Sequence, residues 1–194
     1  MRRFGGEVPE EAGADEHRGE LLEQDAPETK DAREDDSHFA STYRLKPNES
    51  YEANGYRYET DRFGRITLCE GTLRLEEGKR NTMHQTVAGG EYRLETDEGG
   101  HLIARRFGGS EKIDNLLPMD AHVNRVEYAG LEKEWADELE RGGRVEVRVR
   151  CVYESDSGRP DAFLIKYKVT DAEGFERFGI RRISNMKRGG GACA

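Results

Sequence analysis

Between Asp97 and Trp135 the chain carries four side chains whose types suit hydrolysis assisted by a hydrated divalent cation: His101, Asn115, Asn124 and Glu132. A neutral imidazole takes a proton from water near pH 7, and a carboxamide oxygen ligates a hard cation without cancelling its charge. A carboxylate close to the ion steadies its water shell. Taken singly, each residue has an ordinary reading. An asparagine at a helix start is most often a cap, a surface glutamate is usually only solvated, and a histidine after two glycines is commonly a turn residue. The combination, within some forty residues, is what points to chemistry.

Two elements must position these groups. His101 follows Gly99-Gly100 and opens the apolar run Leu102-Ile103-Ala104, which places it where a strand emerges from a tight turn. From Asn124 onward the period changes to 3.6: Tyr128, Leu131, Trp135 and Leu139 share one stripe, and Gly142-Gly143 ends the run. The spacing predicts one amphipathic helix, with Asn124 as a cap in its first turn. Glu132 follows about two turns on, roughly 80° around the axis. Both then face one cavity while the apolar stripe packs on a sheet.

These residues, with others in the same order, resemble the DNA/RNA non-specific endonucleases of the ββα-metal type, above all the branch found as C-terminal toxin domains of bacterial secretion systems. The resemblance runs from Tyr51 to Val169. It rests on Asn54-Gly55-Tyr56, Thr60-Asp61, Gly64-Arg65, Gly78-Lys79-Arg80-Asn81, Gln85 and Gly89-Gly90. It continues through the run Asp97 to Ala104, Phe107-Gly108-Gly109, Asn115-Leu116, Pro118-Met119, Asn124, Glu132 and Arg159-Pro160.

The resemblance implies a role for each matched residue. His101 is the general base and Arg80 contacts the scissile phosphate. Asn115 helps orient the site, Asn124 binds a single Mg2+ directly, with Mn2+ as a substitute, and Glu132 holds that ion through its waters. One departure stands out: Glu98-Gly99 replaces the family's Asp-Arg before Gly-His. The implied fold is α+β, a ββα-metal nuclease core on a central antiparallel sheet with few helices. The implied substrate is DNA, and RNA as a second one, held by backbone phosphates, and the implied partner is a cognate immunity protein that inhibits the enzyme. The competing reading is a catalytically inactive nuclease-fold module that binds nucleic acid or a partner protein, and Glu98-Gly99 is the feature that favours it.

Composition divides the chain. Hydrophobic residues make up 34% and charged ones 37%, too polar a mixture for every part to pack. Residues 1–38 hold thirteen Asp/Glu against five Lys/Arg, so nearly all of the net charge of −9 lies there, and the segment reads as acidic and disordered. A nuclease domain is expected over 39–186 and a flexible glycine-rich tail over 187–194. The near-neutral domain leaves room for local phosphate-binding patches such as Arg80 or Arg105-Arg106. No apolar stretch is long enough to span a membrane, and the first residues lack the apolar core of a signal peptide. The resemblance implies secretion or delivery into a target cell, by a signal-peptide-independent route, and otherwise a cytoplasmic location is expected. Cys69, Cys151 and Cys193 show no paired spacing, and the first two read as buried strand residues.

The remaining elements follow from period and punctuation. Phe39 to Glu59 reads as an irregular lead-in with a turn at Asn54-Gly55. Gly64 to Leu75 reads as a strand pair or one bent strand with a bulge near Glu70-Gly71, and Lys79 to Gly90 as a loop. Val145 to Tyr153 and Ala162 to Val169 alternate as half-buried strands, and Phe175 to Ile183 forms a third. Among the other histidines, His17 and His38 are expected to be exposed in the acidic segment. His84, beside Gln85 in the loop, is a candidate for reaching a phosphate, and the family places no required histidine at His122.

Overall fold

Period-two burial builds the main layer. The computed structural model describes residues 36–76 and 82–186, which leaves Arg80, His17, Cys193 and the glycine-rich tail outside the described residues. In chain order the strands are β1 (Phe39–Ser41), β2 (Arg44–Leu45), β3 (Ser50–Ala53), β4 (Tyr56–Thr60) and β5 (Ile66–Thr72). Helix α1 (Thr82–Val87), β6 (Asp97–His101) and β7 (Leu116–Asp120) come next. A π-helical stretch, Val123–Tyr128, runs directly into α2 (Ala129–Glu140), before β8 (Arg144–Val152), β9 (Ala162–Thr170) and β10 (Glu176–Ser184).

Among the described residues the main sheet has six antiparallel strands in the order β10-β9-β8-β5-β4-β3. One row of cross-strand neighbours, Tyr51, Tyr58, Cys69, Val149 and Ile165, runs along its inner face, and all five are buried. Cys69 and Cys151 are free and buried, as their place in alternating strands implies. Between β5 and β8 the chain leaves the sheet and builds a second unit of β6, β7 and the helix. β6 and β7 form an antiparallel pair in which His101 stands opposite Leu116. This is the ββα arrangement, and the fold is α+β as the pattern implied.

The helix is fixed to the sheet by its predicted stripe. Tyr128, Leu131 and Trp135 are buried, and two aromatic contacts set the docking. Tyr128 meets Phe163 edge-on at 5.9 Å between centroids, and Trp135 meets Tyr167 at 5.6 Å. Two polar clamps hold the β6–β7 pair beside the sheet. Arg159 grips both oxygens of Asp97 at 2.7 and 2.8 Å. Asn185, fully buried, accepts from the Asp120 amide at 2.8 Å and donates to the carbonyls of Pro118 and Pro160.

Several expectations are corrected. The lead-in is a small hairpin, β1–β2, followed by a second, β3–β4, whose turn is Asn54-Gly55. Both of these residues have positive φ (52° and 78°), the geometry an Asn-Gly pair favours. β5 runs without a break, and the register irregularity falls between Glu59 and Thr60 on β4 instead. Part of the expected loop is helical, because Thr82 to Val87 contains neither Gly nor Pro. Gly99-Gly100 lies inside β6 and the strand ends at His101, so the apolar run after it is a buried loop rather than a strand. His38 is buried, not exposed: its Nε2 lies 3.0 Å from Asp114 Oδ2 and its ring stacks on Tyr51 at 4.2 Å.

The Arg159–Asp97 pair generates a prediction. The Asp97 side chain has no exposure and that of Arg159 only 11%, so removing the guanidinium strands a buried carboxylate. Arg159→Ala should lower unfolding free energy by about 3–5 kcal/mol in urea titrations. A change below about 1 kcal/mol would show that the clamp is dispensable.

Candidate functional site

Two hydrogen bonds from the helix bracket His101. Asn124, in the π-helical stretch, donates its Nδ2 to Glu98 Oε2 at 2.8 Å, and Tyr128 OH donates to the Leu102 carbonyl at 2.9 Å. Residues 98 and 102 lie on either side of His101, and consecutive Cα atoms are only about 3.8 Å apart. The histidine is therefore held on the stretch of chain that the helix start touches. It is half-buried, as are Asn124 and Glu132.

The expected cap at Asn124 is not what forms. No side-chain cap bond closes this helix start, and the first turns are π-helical, widened to an i→i+5 spacing. The carboxamide is turned toward β6. With Nδ2 committed to Glu98, Oδ1 is the end of the amide left to accept a cation. Arg125 also donates to Glu98, so the carboxylate serves two donors on adjacent residues of the π turn. Desolvation raises the Glu98 pKa, but the hydrogen bonds from Arg125 and Asn124 outweigh it and hold the carboxyl below the usual range.

Glu132 is the opposite case. Burial pushes its pKa up to about 7, and the Arg106 cation opposes this only in part. Among the described residues no hydrogen bond or ion pair reaches its carboxylate. That group and the Arg106 guanidinium, in the loop that follows His101, sense each other, and the Tyr128 phenol is raised first by its burial and then by Glu132. Strand end, π turn, helix and loop thus converge on one region.

Whether a dication suits these groups can be judged from the donors. Among the described residues no three or more His, Cys, Asp or Glu side chains are grouped to cage a metal. One carboxamide oxygen and one desolvated carboxylate, Glu132, make a donor set suited to a hard ion that keeps most of its waters. The residues fit that description.

Asn115 is placed differently from the other three. It has no exposure, and its side chain makes four bonds. Oδ1 accepts from Tyr58 OH and the Ile103 amide, both at 2.9 Å, and Nδ2 donates to the carbonyls of Ile103 at 2.9 Å and Ser110 at 2.8 Å. Its hydrogen-bonding capacity is filled, so it fixes the path of the loop after His101 and acts as a positioning residue. Its neighbour Asp114 is held by His38, by Ser110 Oγ at 2.6 Å, and at its carbonyl by Tyr51 OH at 2.7 Å. His84 Nδ1 accepts the Ile113 amide at 3.0 Å, which ties α1 to the same turn. His122 is exposed, with Glu127 at 3.7 Å.

Sequence reasoning missed Glu98, which entered only as a departure from a motif. Gly99 explains part of that departure: a Cβ there would sit 2.4 Å from the Gln85 carbonyl oxygen of α1, so no arginine fits. Tyr58, Tyr128 and Asn185 were also missed as polar anchors. The visible signal was tyrosine and asparagine at apolar-phase positions, where a buried hydroxyl or amide must find a partner.

Comparison with known proteins places this geometry. A family model for DNA/RNA non-specific endonucleases matches residues 47–171. The type VII secretion system protein EssD of Staphylococcus aureus strain USA300 is 41% identical over 150 residues, covering 73% of this chain and 24% of that protein. EssD of strain NCTC 8325 matches to the same extent. The chain spans about a quarter of the length of these relatives. Among solved structures, one described as the EndoG/EndoGI complex superposes with a TM-score of 0.52 at 14% identity, covering 71% of this chain and 74% of that one, a likeness of fold.

The hub at Asn115 yields a second prediction. Asn115→Ala orphans the Tyr58 hydroxyl and the Ile103 amide in the interior, and should cost about 3 kcal/mol or more by chemical denaturation. Tyr58→Phe, which removes a single donor, should cost about 1 kcal/mol. Equal costs for the two would mean that the amide is not the hub.

Proposed function

The chain belongs to the DNA/RNA non-specific endonuclease family, and from that premise we propose that it hydrolyses phosphodiester bonds of DNA, with RNA as a second substrate, in a reaction that needs Mg2+ and accepts Mn2+. The observation that carries this reading is the Glu98–Asn124 hydrogen bond, which presents an amide oxygen beside the strand that ends in His101.

His101 takes the proton from an attacking water, whose oxygen bonds to phosphorus as the in-line bond to the 3′ oxygen breaks; the 3′ oxygen takes a proton from solvent, and the 5′ side keeps the phosphate. Asn124 Oδ1 would hold the ion directly and Glu132 would accept hydrogen bonds from its waters. A bound Mg2+ would supply positive charge beside the scissile phosphate, where negative charge builds up. Arg80 is assigned a non-bridging phosphate oxygen by family likeness alone. Asn115 keeps the loop after His101 in place without touching substrate. Contacts mainly to backbone phosphates give little base preference.

Two of the comparisons extend the reading. EssD is named for type VII secretion, and we propose that this chain is likewise exported by a secretion system and acts as a toxin in a target cell. Among the described residues no helix is long and apolar enough to cross a membrane. The EndoG/EndoGI structure concerns the inhibition of EndoG, and we propose for this chain a dedicated inhibitory partner, an immunity protein for the producing cell.

Supercoiled plasmid separates an enzyme from a binding module. The wild-type protein should nick it with Mg2+ and stop on addition of EDTA. His101→Ala should bind DNA normally and lose about 10²- to 10⁴-fold in turnover. Nicking by His101→Ala at the wild-type rate would refute the assignment of the base. Glu98→Ala, which releases the Asn124 amide, should weaken Mg2+ binding by about 10- to 100-fold in calorimetric titration. An unchanged affinity would show that Glu98 does not orient the ligand.

A further inference from the structure

β10 is an open edge of the main sheet, and little covers it. Phe178 and Ile180 are 74% and 62% exposed, and Phe175 just before the strand is 71% exposed. Large apolar side chains this bare, grouped on one strand, mark a contact surface. The register sets Phe178 opposite Lys168 and Ile180 opposite Lys166, with Arg148 next to Lys166 on β8. These side chains lie across the sheet from Tyr167 and Phe163, which face the helix. Phe178, Ile180, Lys166 and Arg148 line a hollow of about 290 Å³, and a second of about 270 Å³ beside it is lined by Arg148, Arg150, Leu164 and Lys166.

The charges are unevenly spent. Lys168 lies between Glu146 and Glu176, and Arg148 reaches Glu70. Arg150 and Lys166 make no ion pair among the described residues. On the edge itself Arg181 caps the Ile180 carbonyl at 3.1 Å, Arg182 comes only within 3.9 Å of Glu154, and Arg177 turns to the helix side to meet Glu138. The strand thus offers Phe178, Ile180 and Arg182 on one face and Arg177 and Arg181 on the other. At Gly179 the backbone is bare, because the Tyr167 ring fills the place of a side chain: a Cβ there would lie 2.1 Å from it.

Three kinds of occupant can be weighed. A second copy pairing edge to edge would gather Arg177, Arg181 and Arg182 from both chains along one seam, where like charges repel. A nucleic-acid backbone would meet the cations but offers no apolar surface to Phe178 and Ile180. A protein strand in which acids alternate with apolar residues meets both, because side chains alternate between the faces of a strand. Its apolar side chains would cover Phe178 and Ile180, its acids would meet Arg181 and compete with Glu138 for Arg177, and its main chain would take up the free edge of β10.

We propose that the β10 edge and its outer face are the docking surface for an acidic partner protein, which adds a strand to this sheet. The inference does not rest on hydrolysis, since it uses none of His101, Asn115, Asn124 and Glu132. The test uses the full chain and three fluorescein-labelled peptides matched in length to β10: glutamate alternating with valine, lysine alternating with valine, and the glutamate peptide with a central proline. The glutamate peptide should bind at least about tenfold more tightly than either control. It should also slow amide exchange at residues 177–183. Phe178→Thr and Ile180→Thr, both at exposed positions that leave the fold intact by circular dichroism, should each weaken it about fivefold. Equal binding of the three peptides overturns the proposal, as does unchanged exchange in β10. Stronger protection of the same amides by a short DNA duplex would make the occupant a nucleic acid, and protection that appears with self-association alone would make it a second copy; either result also overturns it.

Discussion

A buried carboxamide with every hydrogen bond made is the constraint on which the candidate site depends. In an apolar interior an unpaired amide costs about 1–3 kcal/mol, so Asn115 is stable only where Tyr58, Ile103 and Ser110 meet it together. That condition removes alternatives. The loop after His101 has one path, because its amide at 103 and its carbonyls at 103 and 110 are committed to the same side chain. Asp114, one residue earlier, is pinned by His38, Ser110 and Tyr51, so the turn into β7 is fixed from both sides. The imidazole's place follows from neighbours that have nothing to do with proton transfer.

The helix is held to the sheet by packing and to β6 by polar contacts, and the two tasks fall on different residues. Trp135 and Leu131 supply burial against the sheet. Asn124 and Tyr128 reach the other way, to positions flanking His101. Tyr128 does both, since its ring meets Phe163 while its hydroxyl meets the Leu102 carbonyl. A regular α-helix over the same residues would carry Asn124 and Tyr128 around the axis at 100° per step. Residues four apart share a face in a helix, so the spacing of Asn124 and Tyr128 lets both reach the same stretch of chain.

Much of this was legible in the sequence, and the failures share a cause. Val145 to Val169 alternates so strictly that strands β8 and β9 could be placed almost to the residue, and the Tyr128, Leu131, Trp135 stripe located the helix. Local period reports which face is buried. It does not report what lies on the far side of that face. Gly99-Gly100 looked like a turn because glycine pairs usually are, whereas here α1 presses so closely on β6 that a side chain at 99 has no room. His38 looked solvent-exposed because its neighbours are acidic, yet its partner Asp114 is 76 residues away. A π turn leaves no signature that a 3.6 period can reveal, so the cap expected at Asn124 was replaced by a bond to Glu98, 26 positions back.

Glu98 and Glu132 show how one site gives two carboxylates different work. Both are partly withdrawn from water, and desolvation alone would raise both pKa values. Glu98 receives donors from Asn124 and Arg125 and so stays ionised as a fixed acceptor. Glu132 receives no hydrogen bond from the described residues, and only the Arg106 charge favours its ionised form. A satisfied carboxylate can orient a neighbouring amide. An unsatisfied one retains the capacity to accept hydrogen bonds from waters carried in on a cation. The difference is set by which side chains reach each oxygen, because the chemical group is the same in both, and those partners lie too far along the chain for local pattern to report them.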